Sequence, residues 1–256
     1  MILKQENKGV YDSRNVIINS IQGDYLCFVD SDDFVAPNYI EKLMNVVASA
    51  GEKTISYCKY LKFKGKIPEI PETIAEPKAL TENLLEKSLR GEFGHNICGK
   101  LIAADLIRGG VYVDERNGFD DAQLIPQICK NAKQIIRVDD VVYYYRMRAG
   151  SIMHSNNFPL FQALRSYEYY LSIAKEYSNV DTQLFLEAMI LFQKMKLCCV
   201  NYDDNYRKKN YYHSSKRLRE FLRSHNIKIL DKKMKFSIIF PILFKVFYKI
   251  KRLVRW

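Results

Sequence analysis

The sequence predicts an α/β domain followed by an α-helical region, and three observations carry that expectation. Residues 25–29 (Tyr-Leu-Cys-Phe-Val) form an unbroken apolar run that stops at Asp30. A run without alternation is the pattern of a strand buried on both faces, as in a parallel α/β sheet. Ile40, Leu43, Met44 and Val47 then recur at i, i+3, i+4 and i+7 after Pro37, which fits a first helical turn. Beyond Ser151 the apolar period becomes helical throughout. Phe161, Leu164, Tyr167, Leu171 and Ala174 mark one helix, and Leu184, Ala188, Leu191, Met195 and Cys198 mark another.

The remaining elements follow the same logic. Residues 5–23 read as a loop and a short helix, with Asp12 or Ser13 as cap, Val16, Ile17 and Ile21 as apolar face, and Gly23 as stop. Residues 54–63 resemble a second strand. Pro68, Pro71 and Pro77 make 65–77 a loop, because proline cannot donate to a ladder. Thr81 can cap a helix reaching Leu89. Residues 97–103 and 134–145 supply further strand-like runs, on either side of a helical segment from about 121 to 131. Hydrophobic patterning does not order these strands. The Tyr, Phe and Met stripes read as packing surface, and His95, His213 and His225 as core or surface residues. The organisation expected is an α/β domain over 1–155, a helical region over 156–231 and a basic tail over 232–256.

Composition narrows the class. With 256 residues, 48% of them hydrophobic and 13% aromatic against 27% charged, the chain can bury a sizeable core, which excludes disorder, collagen and coiled coil as descriptions of the whole. Six cysteines, none in CxxC spacing and with no signal peptide ahead of them, point to a reducing cytoplasm. The longest nearly apolar stretch, 236–244, is well short of the roughly 20 residues that a spanning helix needs. Of the net charge of +11, residues 232–256 hold eight Lys/Arg and no acid, leaving +3 on residues 1–231. A uniformly basic, nucleic-acid-binding surface is therefore not expected, and an acidic partner should meet the C-terminus.

Asp30-Ser31-Asp32-Asp33 is the sharpest local signal. Ligands of open α/β sheets collect beyond the carboxyl ends of strands, and three carboxylates there need a cation or hydrogen-bond donors to offset their repulsion. Oxygen ligands of this kind suit Mg²⁺ or Mn²⁺, which would in turn hold a diphosphate. The plainer alternative is that these acids cap the helix entered at Pro37 and complement its dipole. Gly118-Phe119-Asp120-Asp121 precedes another helix. One carboxylate there can act as a general base if the fold brings it within about 3 Å of a substrate hydroxyl, or it can simply cap that helix.

Taken in order and spacing, Gln5-Glu6-Asn7-Lys8-Gly9-Val10, Ser13-Arg14-Asn15, Gly23-Asp24-Tyr25, Phe28-Val29-Asp30-Ser31-Asp32-Asp33, Gly99-Lys100-Leu101, Phe119-Asp120-Asp121, Tyr143-Tyr144-Tyr145-Arg146 and Gly150-Ser151-Ile152 resemble the bacterial family-2 glycosyltransferases of the GT-A fold. The resemblance spans roughly residues 5–155. It implies a Rossmann-like mixed sheet and an inverting transfer of sugar from a nucleotide-sugar donor, expected to be a UDP-sugar. The acceptor would be a hydroxyl of a saccharide or lipid-linked saccharide, in surface polysaccharide synthesis.

By the same resemblance Asp30 and Asp32 form the Asp-x-Asp motif that binds the donor through Mn²⁺ or Mg²⁺, and Arg14 lies next to the nucleotide. Asp121 matches the second acid of the Glu-Asp motif, the general base. Arg146, Arg148 and His154 fall near the cleft as acceptor or phosphate contacts. Asp120 stands where the family has Glu, and Pro126 interrupts the following helix. Family members open with roughly 60 further residues that form the centre of the sheet and grip the base, so the domain is expected to be incomplete at its N-terminus.

In the tail, Phe236, Ile239, Phe240, Leu243, Phe247, Ile250 and Val254 share one helical face while Lys245, Lys249, Lys251, Arg252 and Arg255 lie largely off it. That pattern suits peripheral attachment to an anionic membrane on its cytoplasmic face; packing on the preceding helices is the alternative. Two other functions fit parts of the sequence. One is an inactive scaffold in a polysaccharide-assembly complex. The other is a haloacid-dehalogenase-like phosphatase with Asp30 as nucleophile and Lys100 and Asp120-Asp121 in support.

Overall fold

The computed structural model describes residues 3–66, 76–108, 110–148, 158–200, 204–225 and 244. Two compact units divide the chain: residues 1–116 with 120–149, and residues 117–119 with 150–256.

The first unit is the expected α/β body. Its elements are α1 (Val10–Asn19), β1 (Tyr25–Cys27), β2 (Phe34–Val35), α2 (Tyr39–Val47), β3 (Thr54–Phe63), β4 (Lys78–Leu80), α3 (Leu84–Arg90), β5 (Lys100–Ala103), α4 (Asp120–Cys129) and β6 (Gln134–Arg146). The sheet runs β1-β5-β3-β6-β2, with β4 also on β6. Only β3 and β6 are parallel; the other pairings are antiparallel. A register shift beside Lys59 divides β6, so that β4 pairs with 135–137 and β2 with 143–144.

Several sequence expectations are corrected here. The apolar run at 25–29 forms a strand only to Cys27 and is half-buried; it pairs antiparallel with β5. Phe28 beyond it is buried and Val29 exposed. The run is therefore not a strand covered on both faces. Helix α1 starts at Val10, after Gly9 at φ +92°, and Ser13 does not cap it: its hydroxyl donates to the Gly9 carbonyl at 2.9 Å. Its packed residues are Ile17 and Ile18, with Val16 exposed. In α2 the buried row is Tyr39, Leu43 and Val47, while Ile40 is exposed. Thr81 caps nothing; α3 begins after Asn83 in the left-handed region. Residues 97–99 are loop, and β4 was not expected.

Pro126 sits inside α4, and the helix continues past it, with Lys130 N–H on the Pro126 carbonyl at 3.0 Å. The core joins Ile55, Leu101, Ile102, Leu124, Ile125, Ile128 and Ile135 to the inner sides of α1 and α2. Burying each such side chain contributes about 1.5–3 kcal/mol.

The second unit is helical: α5 (Phe158–Tyr177), α6 (Val180–Val200) and α7 (Asp204–Ser224). The buried row of α5 is Gln162, Ser166, Tyr170 and Ala174; of the predicted stripe Ala174 is buried, Leu164, Tyr167 and Leu171 are half-buried, and Phe161 is exposed. Gly118, at φ +93°, approaches α5 so closely that a Cβ would stand 2.6 Å from the Gln162 carbonyl, and Phe119 N–H donates to Ser166 Oγ at 3.1 Å. Met195, Tyr211, Leu218 and Phe192 form this unit's core. Phe244 joins it, with its ring 6.0 Å from that of Phe192; the rest of the predicted basic tail lies outside the described residues. Among the described residues no helix is long and apolar enough to cross a membrane.

Candidate active site

Three segments of the first unit bring their acids together around one guanidinium. Helix α1 carries Arg14, and its neighbour Asn15 anchors the helix by exchanging hydrogen bonds with the Val113 backbone at 2.9 and 3.0 Å. The loop after β1 supplies Asp30, and the first turn of α4 supplies Asp120 and Asp121. Arg14 Nε donates to Asp120 Oδ2 at 2.9 Å, and its Nη2 lies 3.4 Å from Asp30 Oδ1 and 3.5 Å from Asp121 Oδ1. The guanidinium stacks 4.5 Å from the centre of the Phe28 ring. Burial works against its charge, but Asp121 and Asp120 outweigh burial and raise its pKa. Arg14 is thus a buried bridge between the two acidic motifs, not a surface ion pair.

The Asp30–Asp33 stretch closes as a turn, with Asp33 N–H on the Asp30 carbonyl at 3.0 Å. None of these acids caps α2, whose N-terminal residue is Asn38 without a side-chain cap. The register of β2 on β6 explains where Asp33 goes. Phe34 faces Tyr144, so Asp33 falls beside the end of β6, where Tyr143 Oη donates to its Oδ2 at 2.6 Å and Arg146 N–H to its Oδ1 at 2.9 Å. The same phenol accepts from Asp30 N–H at 3.3 Å. Asp33 is therefore occupied with holding the turn. Burial pushes its carboxyl above the ordinary range, against the lowering effect of those two donors, and burial together with Asp33 pushes Tyr143 upward.

Asp30 and Asp32 remain turned toward solvent, with side chains 42% and 32% exposed, and Asp32 Oδ2 pairs with Arg148 Nε at 2.6 Å. Among the described residues no three Asp, Glu, His or Cys are grouped to hold a metal ion. The two acids nevertheless fit Mg²⁺ or Mn²⁺, because they offer oxygen donors only, and such a cation takes one or two carboxylates and completes its shell with water and substrate phosphate.

Asp121 is the most perturbed acid. Its Oδ1 is buried without a hydrogen-bond partner, while the Ile97 backbone N–H is directed at the carboxylate. Burial first, then the charge of Asp120, push it up to about 7, against the pull of Arg14. A carboxylate titrating there is suited to proton abstraction near neutrality.

Of the expected contacts, Arg148 reaches Asp32. Arg146 meets Asp33 through its backbone and carries its guanidinium over the Phe34 ring at 5.9 Å. His154 lies outside the described residues. Tyr143 and Asp33 received no role from the sequence, although both stand within the quoted motifs; only the β2–β6 pairing joins residues 110 positions apart. Lys100, which a phosphatase would need beside Asp30, is buried with its Nζ on the Asn96 carbonyl.

Residues 1–104, which contain Arg14, Asp30 and Asp32, match the family model Glycosyl transferase family 2. Glycosyltransferase GlyG of Streptococcus pneumoniae serotype 4 is 29% identical over 166 residues, covering 60% of this chain and 54% of that protein. Glycosyltransferase GlyA of the same organism is 26% identical over 161 residues, or 59% of this chain and 23% of that one. Putative glycosyltransferase EpsH of Bacillus subtilis is 35% identical over 60 residues, 23% of this chain and 17% of that one. The chain thus spans about half the length of GlyG and about a quarter of GlyA. By these matches residues 1–104, with Arg14, Asp30 and Asp32 among them, are similar to glycosyl transferase family 2.

Proposed function

We propose that the chain carries the site of an inverting glycosyltransferase that moves a sugar from a nucleotide-sugar donor, a UDP-sugar, to a hydroxyl of a saccharide or lipid-linked saccharide. The observation that carries this reading is the Arg14 bridge, which sets Asp30 and Asp121 within 3.4–3.5 Å of one guanidinium nitrogen. Asp30 and Asp32 would hold Mg²⁺ or Mn²⁺, and with it the donor diphosphate. When bound, the cation neutralises charge on the leaving diphosphate. Arg14 keeps the donor-side and base-side acids in register, Tyr143 and Arg146 N–H fix the turn through Asp33, and Asp121 takes the acceptor's proton.

The test is release of UDP from a panel of UDP-sugars with Mn²⁺ and candidate saccharide acceptors. Asp121→Asn should reduce turnover by about 10²–10⁴-fold with donor affinity nearly intact, and Asp120→Asn should do less. Equal losses in the two variants, or a loss of donor binding in Asp121→Asn, would overturn the assignment.

A place in surface polysaccharide synthesis belongs to the same proposal and rests on the family-2 resemblance of residues 5–155. Peripheral attachment to the cytoplasmic face of a membrane completes the proposal, supported by eight cations without an acid in 232–256. Binding to anionic vesicles should fall with salt and be lost on deletion of 232–256; unchanged binding after that deletion would refute it.

A further inference from the structure

Asp30 and Asp32 each meet a guanidinium, and the two pairings differ in kind. The Arg14 side chain is 11% exposed, gives its Nε to Asp120 at 2.9 Å and reaches Asp30 Oδ1 only at 3.4 Å, so three acids fix it at once. Arg148 is 54% exposed and gives its Nε to Asp32 Oδ2 at 2.6 Å. Arg146, two residues before it, turns its guanidinium over the Phe34 ring instead.

The frame around the second pair explains why it forms. Arg146 N–H donates to Asp33 Oδ1 at 2.9 Å, and Met147 N–H donates to the Phe63 carbonyl at 2.8 Å. The backbone that delivers Arg148 is thereby tied to the acidic turn on one side and to the end of β3 on the other. Asp32 lies inside that turn, which Asp33 N–H closes onto the Asp30 carbonyl at 3.0 Å. Exposed ion pairs are usually weak because two side chains must be ordered to make them. Here both backbones are held within two residues of the contact, which lowers that entropic cost.

Asp32 therefore has two claimants. A divalent cation held by Asp30 and Asp32 needs carboxylate oxygens, and Arg148 holds one of them. Two cations at one carboxylate repel each other, so binding of the ion works against the Arg148 contact. A guanidinium that leaves Asp32 requires another anion, and its planar fork fits the oxygens of a diphosphate. We propose that Arg148 is a positioning residue that competes with the divalent cation for Asp32 and passes to the donor's diphosphate when the cation binds, so that cation and nucleotide bind cooperatively. This rests on the reading of Asp30 and Asp32 as the cation's carboxylates and adds that the cation alone is held weakly. Arg14 takes no part in the exchange, because its Nε is engaged by Asp120.

The first probe is Mn²⁺ alone, titrated against the full chain and followed by the electron paramagnetic resonance signal of the free ion, which requires no turnover. Arg148→Gln should bind Mn²⁺ about fivefold more tightly than wild type, the most that an ion pair of this exposure contributes. Arg148→Lys keeps the charge and should gain less. Saturating UDP should then tighten Mn²⁺ binding by a larger factor in wild type than in Arg148→Gln, and by linkage Mn²⁺ should tighten UDP binding by that same factor in each protein. A purely structural arginine predicts a lower melting temperature with no gain in Mn²⁺ affinity. Unchanged or weaker Mn²⁺ binding by Arg148→Gln, with binding lost in Asp32→Asn, would overturn the proposal and leave the cation reading standing. Equal gains in Arg148→Gln and Arg148→Lys would overturn it too, because charge would not be the cause. If wild type binds no Mn²⁺ even with UDP, the cation reading falls and this proposal falls with it.

Discussion

Tyr143→Phe removes one oxygen from the candidate site and leaves the packing of the ring in place. The Tyr143 ring is fully buried and meets Tyr39 edge-on at 6.2 Å, contacts that phenylalanine keeps. Lost are the 2.6 Å donation to Asp33 and the 3.3 Å acceptance from Asp30 N–H. A hydrogen bond to a charged group contributes about 1.5–3 kcal/mol, and the partial solvent access of Asp33 places this one at the lower end. A net cost of about 2 kcal/mol follows, or a fall in melting temperature of roughly 4–8 °C for a unit of this size.

The effect should depend on pH in a defined direction. The Asp33 carboxyl already sits above its ordinary range because burial outweighs its donors, and removing the phenol raises it further. A group with a raised folded pKa binds its proton better when folded, so it weakens the fold as pH rises from the ordinary carboxylate value through its raised folded value. The difference between wild type and variant should therefore be larger at pH 7 than at the lowest pH where the chain stays folded, where a neutral carboxyl gives only an ordinary hydrogen bond. Urea unfolding at both pH values measures it. A change below about 0.5 kcal/mol at pH 7, or one independent of pH, would show that the turn does not depend on this phenol.

The other predictions concern the same acids and one glycine. Asp32→Asn should greatly weaken metal-supported nucleotide-sugar binding in calorimetry, and unchanged affinity would sink the donor assignment. With Asp121 raised to about 7, turnover should fall about tenfold per unit below that pH, and Asp121→Asn should melt later than wild type above pH 7 but not below about pH 4, since the raised folded pKa costs stability from the ordinary value of 3.8 up to about 7. Absence of an acidic limb near 7 would contradict the first, and a lower melting point at pH 8 the second. Gly118→Ala should destabilise by about 1–3 kcal/mol, because its Cβ would meet the Ser166 backbone and the Gln162 carbonyl at a φ of +93°; a wild-type melting temperature would show that the contact relaxes freely.

Sequence alone determined the class of the fold, because an apolar run ending at Asp30, a helix at period 3.6 and a C-terminal change of period are properties of local pattern. It also located both acidic motifs, since carboxylates beyond a strand and ahead of a helix stand out without any knowledge of what surrounds them. It did not reveal that β1 pairs antiparallel with β5, nor which residues of α5 are buried: strand direction depends on long-range hydrogen bonds, and a one-residue shift moves a helical stripe by about 100°. The division of labour among the aspartates was decided only by tertiary structure. Asp30, Asp32 and Asp33 are chemically alike in the chain, and what separates them is the β2–β6 register that puts a phenol and a backbone N–H on Asp33. Likewise Asp121 differs from Asp120 through an Oδ1 without a hydrogen-bond donor and the longer reach to Arg14, a difference of environment that two adjacent identical letters cannot carry.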